Sequence, residues 1–365
     1  MAYTNAASGL TPQQWDSDFF RDYVRSSRYK RYMGTDESAI IQLNEDLTKK
    51  KGDSITFALV NELTGAGVTG SSTLKGNEER LNSRSHKLTV DVLRHAVAVD
   101  DWDQQKSAID LRNACKVQLR EWAMKKMRDD ITQALGQIDG VNYSASSAAQ
   151  RNTWWANNAD RVLCGTVAAN YAGAAFATDI AKIGSGEQLS PTLLSAMKRK
   201  AQAGSPKIKP VMVKEMDQEW YVCFVGPYAW RDLTEDNPTT NVLTLANRDA
   251  RIRGVDNPLF TGDSLVWDGI IIREIPEIEG LADISGSGGA RIEPVYLCGA
   301  QAIGVAFAQR TKSTVDVDDY EFVHGVGVQE IRRIEKLRFG TDPSADTTTP
   351  KDHGVVTAFV AAATD

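Results

Sequence analysis

"LTGAGVTGSSTLKG", residues 63–76, is the stretch on which the reading of this chain turns. Gly65, Gly67 and Gly70 spell G-x-G-x-x-G, the run "ITFALV" before them looks like a strand, and Asp91 follows about 20 residues on. Those are the parts of a dinucleotide-binding fingerprint. The fingerprint works only where a helix begins at the glycines, because the helix N-terminus holds the pyrophosphate. Here "SSTLKGNEERLNSRS" follows Gly70, with a further glycine at Gly76 and no apolar period of a helix. The next ordered element is a strand, in which Leu88, Val90 and Val92 alternate with Lys87, Thr89 and Asp91. The pattern predicts a long β-hairpin with a Gly-rich tip rather than a cofactor site. Lys75 does not convert the loop into a phosphate cradle, since the Gly-Lys-Ser/Thr ending is absent.

Outward from the hairpin, the apolar parity shifts to Val97 and Val99, which predicts a β-bulge near Leu93–Ala96. Upstream, Trp15, Phe19, Phe20, Tyr23, Tyr29 and Tyr32 are interleaved with charges and share no period. They read as an arm that packs on something else. Downstream, Leu111, Cys115, Leu119, Trp122 or Ala123, Met127, Ile131, Leu135 and Ile138 recur at helical spacing, so a long amphipathic helix is predicted over 107–138, ended by Gly136 and Gly140. Residues 141–188 are rich in small and polar types and read as an irregular insertion with short helices, its Trp154 and Trp155 packing onto a neighbour. Ser190, Pro191 and Gly204 bracket a second helix. Strands are predicted at Val211–Val213, Trp220–Val225, Ile270–Ile275 and Ile292–Leu297, and β-structure again over Asp319–Phe339. "GTDPSADTTTPKDHG", residues 340–354, reads as a polar loop before a short apolar tail. The order is that of a mixed α+β protein.

Composition narrows the function classes. The 365 residues are 42% hydrophobic and 25% charged, ordinary values for a globular chain. A net charge of −6 argues against a protein built mainly to grip nucleic acid. No apolar run approaches the ~20 residues of a membrane span, and the start "MAYTNAASGL" lacks the basic and apolar regions of a signal peptide. Cys115, Cys164, Cys223 and Cys298 stand singly in apolar settings, as reduced buried thiols do. "DISGSGGARI" reads as a surface turn, and "VDVDD" as a solvated acidic turn without the glycine and distal glutamate of a calcium loop. The histidines His86, His95, His324 and His353 show no metal-ligand spacing, and no G-x-S-x-G elbow occurs. No catalytic, cofactor or metal site is expected.

The order of arm, long Gly-tipped hairpin, long helix, mixed domain and returning strands resembles the major capsid proteins of tailed bacteriophages, which share the Hong Kong 97-type shell fold with encapsulins. "GAGVTGSSTLKGNEE" (65–79) is similar to the hairpin-loop signature of one branch of those proteins. "FVGPYAWRDL" (224–233) and "RGVDNPLFTGDSLVWDGIIIRE" (253–274) are similar to two further blocks, and "ADRVLCG" (159–165) extends the likeness. The resemblance implies an α+β Hong Kong 97-type capsid fold. Residues 1–45 would be an N-arm, 46–100 an extended hairpin loop and 101–189 a peripheral domain with the spine helix. Residues 190–312 would be an axial domain, and 313–365 a return to the peripheral domain. It further implies self-assembly into pentamers and hexamers of an icosahedral head around double-stranded DNA, with only weak DNA contact. Gly65, Gly67, Gly70 and Gly76 would form the assembly loop tip. Portal, scaffold and decoration proteins would be partners, and the chain would be made in the host bacterial cytoplasm. A covalent shell cross-link through Lys75 is not expected, since activating its amine needs a buried carboxylate base and no sequence feature fixes where the partner would lie. An encapsulin-like compartment shell and a nucleotide-dependent enzyme are the alternatives.

Overall fold

Helix and strand signals become elements as follows in the computed structural model, which describes residues 28–45, 47, 52–60, 67–70, 73–75, 78, 83–173, 175–213, 218–234, 264–320, 322–342 and 345–363. Trp15, Phe19, Phe20 and Tyr23 of the arm, Gly65 and Gly76 of the loop, and residues 253–263 lie outside the described residues. The first strands are β1 (Met33–Gly34), β2 (Ile41–Asn44), β3 (Ser54–Val60), β4 (Ser83–Thr89) and β5 (Asp91–Asp100). Helices α1 (Asp101–Lys106), α2 (Leu111–Leu135) and α3 (Ala148–Asn157) follow, then β6 (Val162–Cys164), α4 (Phe176–Ile180) and α5 (Pro191–Ala203). Next come β7 (Val211–Val213), β8 (Gln218–Val225), α6 (Pro227–Thr234), β9 (Ser264–Trp267), β10 (Ile270–Glu274) and β11 (Arg291–Cys298). The chain ends with β12 (Ile303–Asp318), β13 (Val323–Lys336), β14 (Arg338–Asp342), β15 (Ala345–Asp352) and β16 (Val355–Ala362). Helices and sheets mix as the α+β class requires.

The elements fall into two units. One takes residues 1–55, 88–135 and 303–335. Its sheet has the order β1-β2-β12-β13-β5, with β2 parallel to β12 and β5 antiparallel to β13. Helix α2 buries Leu119, Ala123, Met127, Ile131 and Leu135, the predicted apolar stripe. It is shorter than the expected 107–138. Asp110 accepts the Asn113 amide at 3.2 Å and so begins a new helix, leaving residues 107–110 as a break after α1. Ile138 lies beyond the helix, in a turn bridged to Val141. Tyr29 is buried, its hydroxyl 2.8 Å from Thr132 Oγ1 on α2, so this member of the aromatic arm packs on its own chain. The predicted bulge at 93–96 is absent, because β5 and β13 pair without interruption from Asp100↔Val323 to Asp91↔Arg332. Parity changes instead at Val90, where the chain leaves the β3–β4 ribbon and joins β13; each ladder sets its own inward face.

The other unit takes residues 56–87, 136–302 and 336–365. Its main sheet runs β6-β16-β11-β8-β10-β9, with β7 also paired to β8. One apolar cluster joins Leu193, Leu194 and Met197 of α5 and Leu233 of α6 to Val295, Val356 and Val360. Ser190 caps α5 through the Leu193 amide, as the sequence predicts. A second cluster gathers Trp154, Trp155, Phe176, Ile292 and Phe359. The two tryptophans therefore pack inside this chain and not onto a neighbour. Trp155 lies edge-on to Phe176 at 5.2 Å, and the indole N–H groups of Trp154 and Trp155 donate to Asp352 and Asp179.

Two further expectations are corrected in this unit. Residues 340–354, read as a polar loop, contribute to a β14–β15 ribbon that starts from the pair Arg338↔Asp352. The short apolar tail is β16, whose eight residues are all buried between β6 and β11. A strand covered on both faces reads as a continuous apolar run, here "VVTAFVAA", rather than as an alternation. Residues 313–335 belong to the first unit and 336–363 to the second.

Candidate assembly loop

The β3–β4 ribbon obeys the period of two. Ile55, Phe57, Leu59, Arg84 and Leu88 face inward, whereas Thr56, Ala58, Ser85, Lys87 and Thr89 are exposed. Val90 N–H donates to Asp53 O at 2.9 Å and closes the base. The inward face has a seat in its own chain. His86 Nδ1 accepts the Arg338 amide at 3.3 Å, and the imidazole meets Phe339 edge-on at 6.4 Å. Gln301 Nε2 donates to Ala58 O at 3.5 Å. Burial, with Arg338 adding to it, lowers the His86 pKa to about 4. The ring is therefore neutral near pH 7 and Nδ1 stays an acceptor. The sequence hints at this seat only through the shared parity of Arg84, His86 and Leu88; nothing local announces Arg338 or Phe339.

The tip differs from its base. Gly67 and Gly70 have φ of 70° and 75°, are exposed, and a Cβ on either would meet nothing within 4 Å. Backbone hand, not crowding, calls for glycine there. Lys75 is exposed nearby in sequence. Among the described residues from Gly70 to Thr89 there is no helix, and the ordered element that follows the loop is β4. Asp91 lies in β5 and accepts the Val92 amide at 2.8 Å.

The remaining motifs have structural roles. Asp283, before the turn with left-handed Gly288 and Gly289, accepts from the Tyr143 hydroxyl at 2.8 Å and pairs with Arg151. Asp316, Asp318 and Asp319 are exposed at the outer end of β12 and its turn. Cys164, Cys223 and Cys298 are buried, and burial pushes the Cys164 thiol up to about 12, whereas Cys115 is half-buried. The ribbon can make contacts, with a fixed base and a tip of permissive backbone.

The described chain thus comprises a helix-and-sheet unit, a second sheet unit and a two-stranded ribbon with left-handed Gly67 and Gly70 in its loop. The sequence profile described as phage capsid protein matches residues 3–364, and the chain belongs to that family. The major capsid protein of Pseudomonas phage KPP25 is 28% identical over 394 residues, spanning 99% of this chain and 98% of that relative. The capsid structure of cyanophage Pam1 superposes with a TM-score of 0.81 at 33% identity, over 100% of both chains. The capsid of Ralstonia phage GP4 shares the fold, with a TM-score of 0.71 and 22% identity over 92% of this chain and 90% of that one. The fold is the Hong Kong 97-type capsid fold, and the protein is a major capsid protein, a self-associating structural component of a phage virion.

Proposed function

We propose that this chain forms the pentamers and hexamers of an icosahedral head enclosing double-stranded DNA, with no catalytic activity of its own. The observation that carries the reading is a family match spanning nearly the whole chain. In this reading the unit with α2 serves as the peripheral domain and the unit with β16 as the axial domain, and the pairing of β16 with β11 supports counting 336–363 with the latter. Residues 1–45 begin as an N-arm that reaches under an adjacent subunit. The loop tip with Gly65, Gly67, Gly70 and Gly76 lies on a neighbour, where a two-stranded ribbon, marginal alone in water, gains support. Head-to-tail contacts of this kind close into rings. The net charge of −6 suits weak, non-specific contact with packaged DNA. Portal, scaffold and decoration proteins would complete the particle, assembled in the host cytoplasm. Electron microscopy of the purified protein tests the reading: uniform closed shells are expected, with nuclease-protected DNA in particles from infected cells. Particles that hold protein cargo instead would favour a compartment shell. Absence of shells, with saturable nucleotide binding, would overturn the capsid reading.

A further inference from the structure

The first unit carries a groove of about 190 Å³ that no described part of the chain fills. Val97 and Val99 of β5, Val315 of β12 and Val326 of β13 supply its apolar walls, and Arg112 and Lys116 of α2 stand on its rim. A cavity of about 150 Å³ admits a benzene ring, so the space is that of one aromatic side chain. Beyond the groove, the β12–β13 hairpin projects. Its turn sets two consecutive non-glycine residues in the left-handed region, Asp319 at φ 49° and Tyr320 at φ 53°. A bulky residue there costs about 1–2 kcal/mol relative to glycine. Tyr320 spends its side chain entirely in solvent, with Phe322, Val315 and Val317 also exposed. Within the subunit the ring gains nothing for that cost. Around it stand the exposed carboxylates of Asp316, Asp318 and Asp319.

We infer that the β12–β13 hairpin tip of one subunit docks on a second copy, with Tyr320 in the groove between β5, β13 and the start of α2 and the tip aspartates beside Arg112 and Lys116. Charge and shape choose the occupant: an acidic aromatic tip and an apolar groove with Lys116 and the Asp101-paired Arg112 on its rim lie on the same chain. Among the described residues Arg112 pairs with Asp101 on the rim, and Lys116 is the rim cation assigned to an incoming aspartate. The contact is heterologous, and copies joined this way close into a ring or continue along a surface. It deepens the shell reading and rests on it.

Nature has placed a reporter in the groove. Cys115 lines it and is half-buried, whereas the other three cysteines are buried. In the fraction of full-length Tyr320→Cys that still assembles, mild oxidation should form a disulfide to Cys115 of a neighbour, a bond that requires Cα atoms within about 7 Å. The gel should show dimers and higher multiples of the 40.0 kDa chain, absent when Cys115→Ser is added. Tyr320→Asn relieves the turn, because asparagine accepts left-handed φ better than tyrosine. Its subunits should melt no lower than wild type, yet shell yield should fall at least about tenfold by loss of the buried ring. Lys116→Glu and Asp318→Lys should each impair assembly similarly, and the double reversal should restore it to within about twofold. Shells that form with no Cys115-dependent cross-link, or with Tyr320→Asn at wild-type yield, would overturn this contact while leaving the capsid reading intact. Wild-type protein that forms no shells would overturn the capsid reading itself.

Discussion

Residues 313–318 and residues 355–362 both lie in strands of the last third of the chain, and they meet opposite environments. β16 is buried along its whole length, with β11 on one side and β6 on the other. The outer end of β12 and its turn are exposed almost throughout, with Val315, Val317, Tyr320 and Phe322 open to solvent. In β16 the apolar surface is spent on folding the subunit. At the hairpin tip comparable side chains do nothing for the subunit, so any burial must come from another molecule. For a shell protein this difference separates residues that make the subunit from residues that join subunits.

The comparison breaks most sharply at Phe359. Its ring packs 5.4 Å from Phe176 and 5.8 Å from Trp155 by centroid distance. Phe359→Ala should destabilise the unassembled subunit by about 3–5 kcal/mol, through lost transfer energy plus a residual cavity. Urea denaturation checks this, and a change under about 1 kcal/mol would mean that β16 is not the core strand described here.

A smaller effect concerns acid. His353, buried just before β16, has its pKa lowered from 6.5 to about 3 by burial, with Arg161, Lys209 and Arg84 adding to it. Protonation therefore favours the unfolded chain. The stability tied to this group is whole above pH 6.5 and is lost as pH falls toward 3, by up to about 1.4 kcal/mol per pH unit. His86, lowered to about 4, has the same sign, whereas Asp139 and Glu293, raised chiefly by burial, act in the opposite sense. The measurement is accordingly a difference: wild-type subunits should lose more melting temperature between pH 7 and pH 5 than His353→Gln does. Parallel curves would remove His353 from the account.

The smallest effect on folding belongs to the glycine loop. Gly67→Val places a β-branched residue at φ 70° with open space around it, so the cost is local backbone strain of about 1–2 kcal/mol. The subunit should remain folded while sedimentation shows impaired shell assembly. Shells at wild-type yield, together with wild-type binding of a nucleotide that the variant loses, would return the loop to phosphate chemistry. The arm is to be probed by truncation that stops before Tyr29, since Tyr29, Ile40 and Ile41 are buried in the subunit itself.

Local signals carried much of this molecule. Ser190, Pro191 and Gly204 announced α5 because caps and a first-turn proline act over neighbouring residues. The stripe from Leu119 to Leu135 announced α2 for the same reason, the run "ITFALV" announced β3, and the alternation at Leu88, Val90 and Val92 announced β-structure that the fold divides between β4 and β5. Three blocks in order pointed to the capsid family, whose profile matches residues 3–364. The sequence left open which surfaces meet. That β16 would sit between β6 and β11, that Trp154 and Trp155 would close on Phe176 and Phe359, and that His86 would find Arg338 are pairings across long stretches of chain. No local rule encodes them, because a strand's partner is chosen by which apolar faces remain to be covered once the other elements have packed. The same holds for Tyr320, whose residue type suggests a core and whose exposure is visible only once the hairpin has folded.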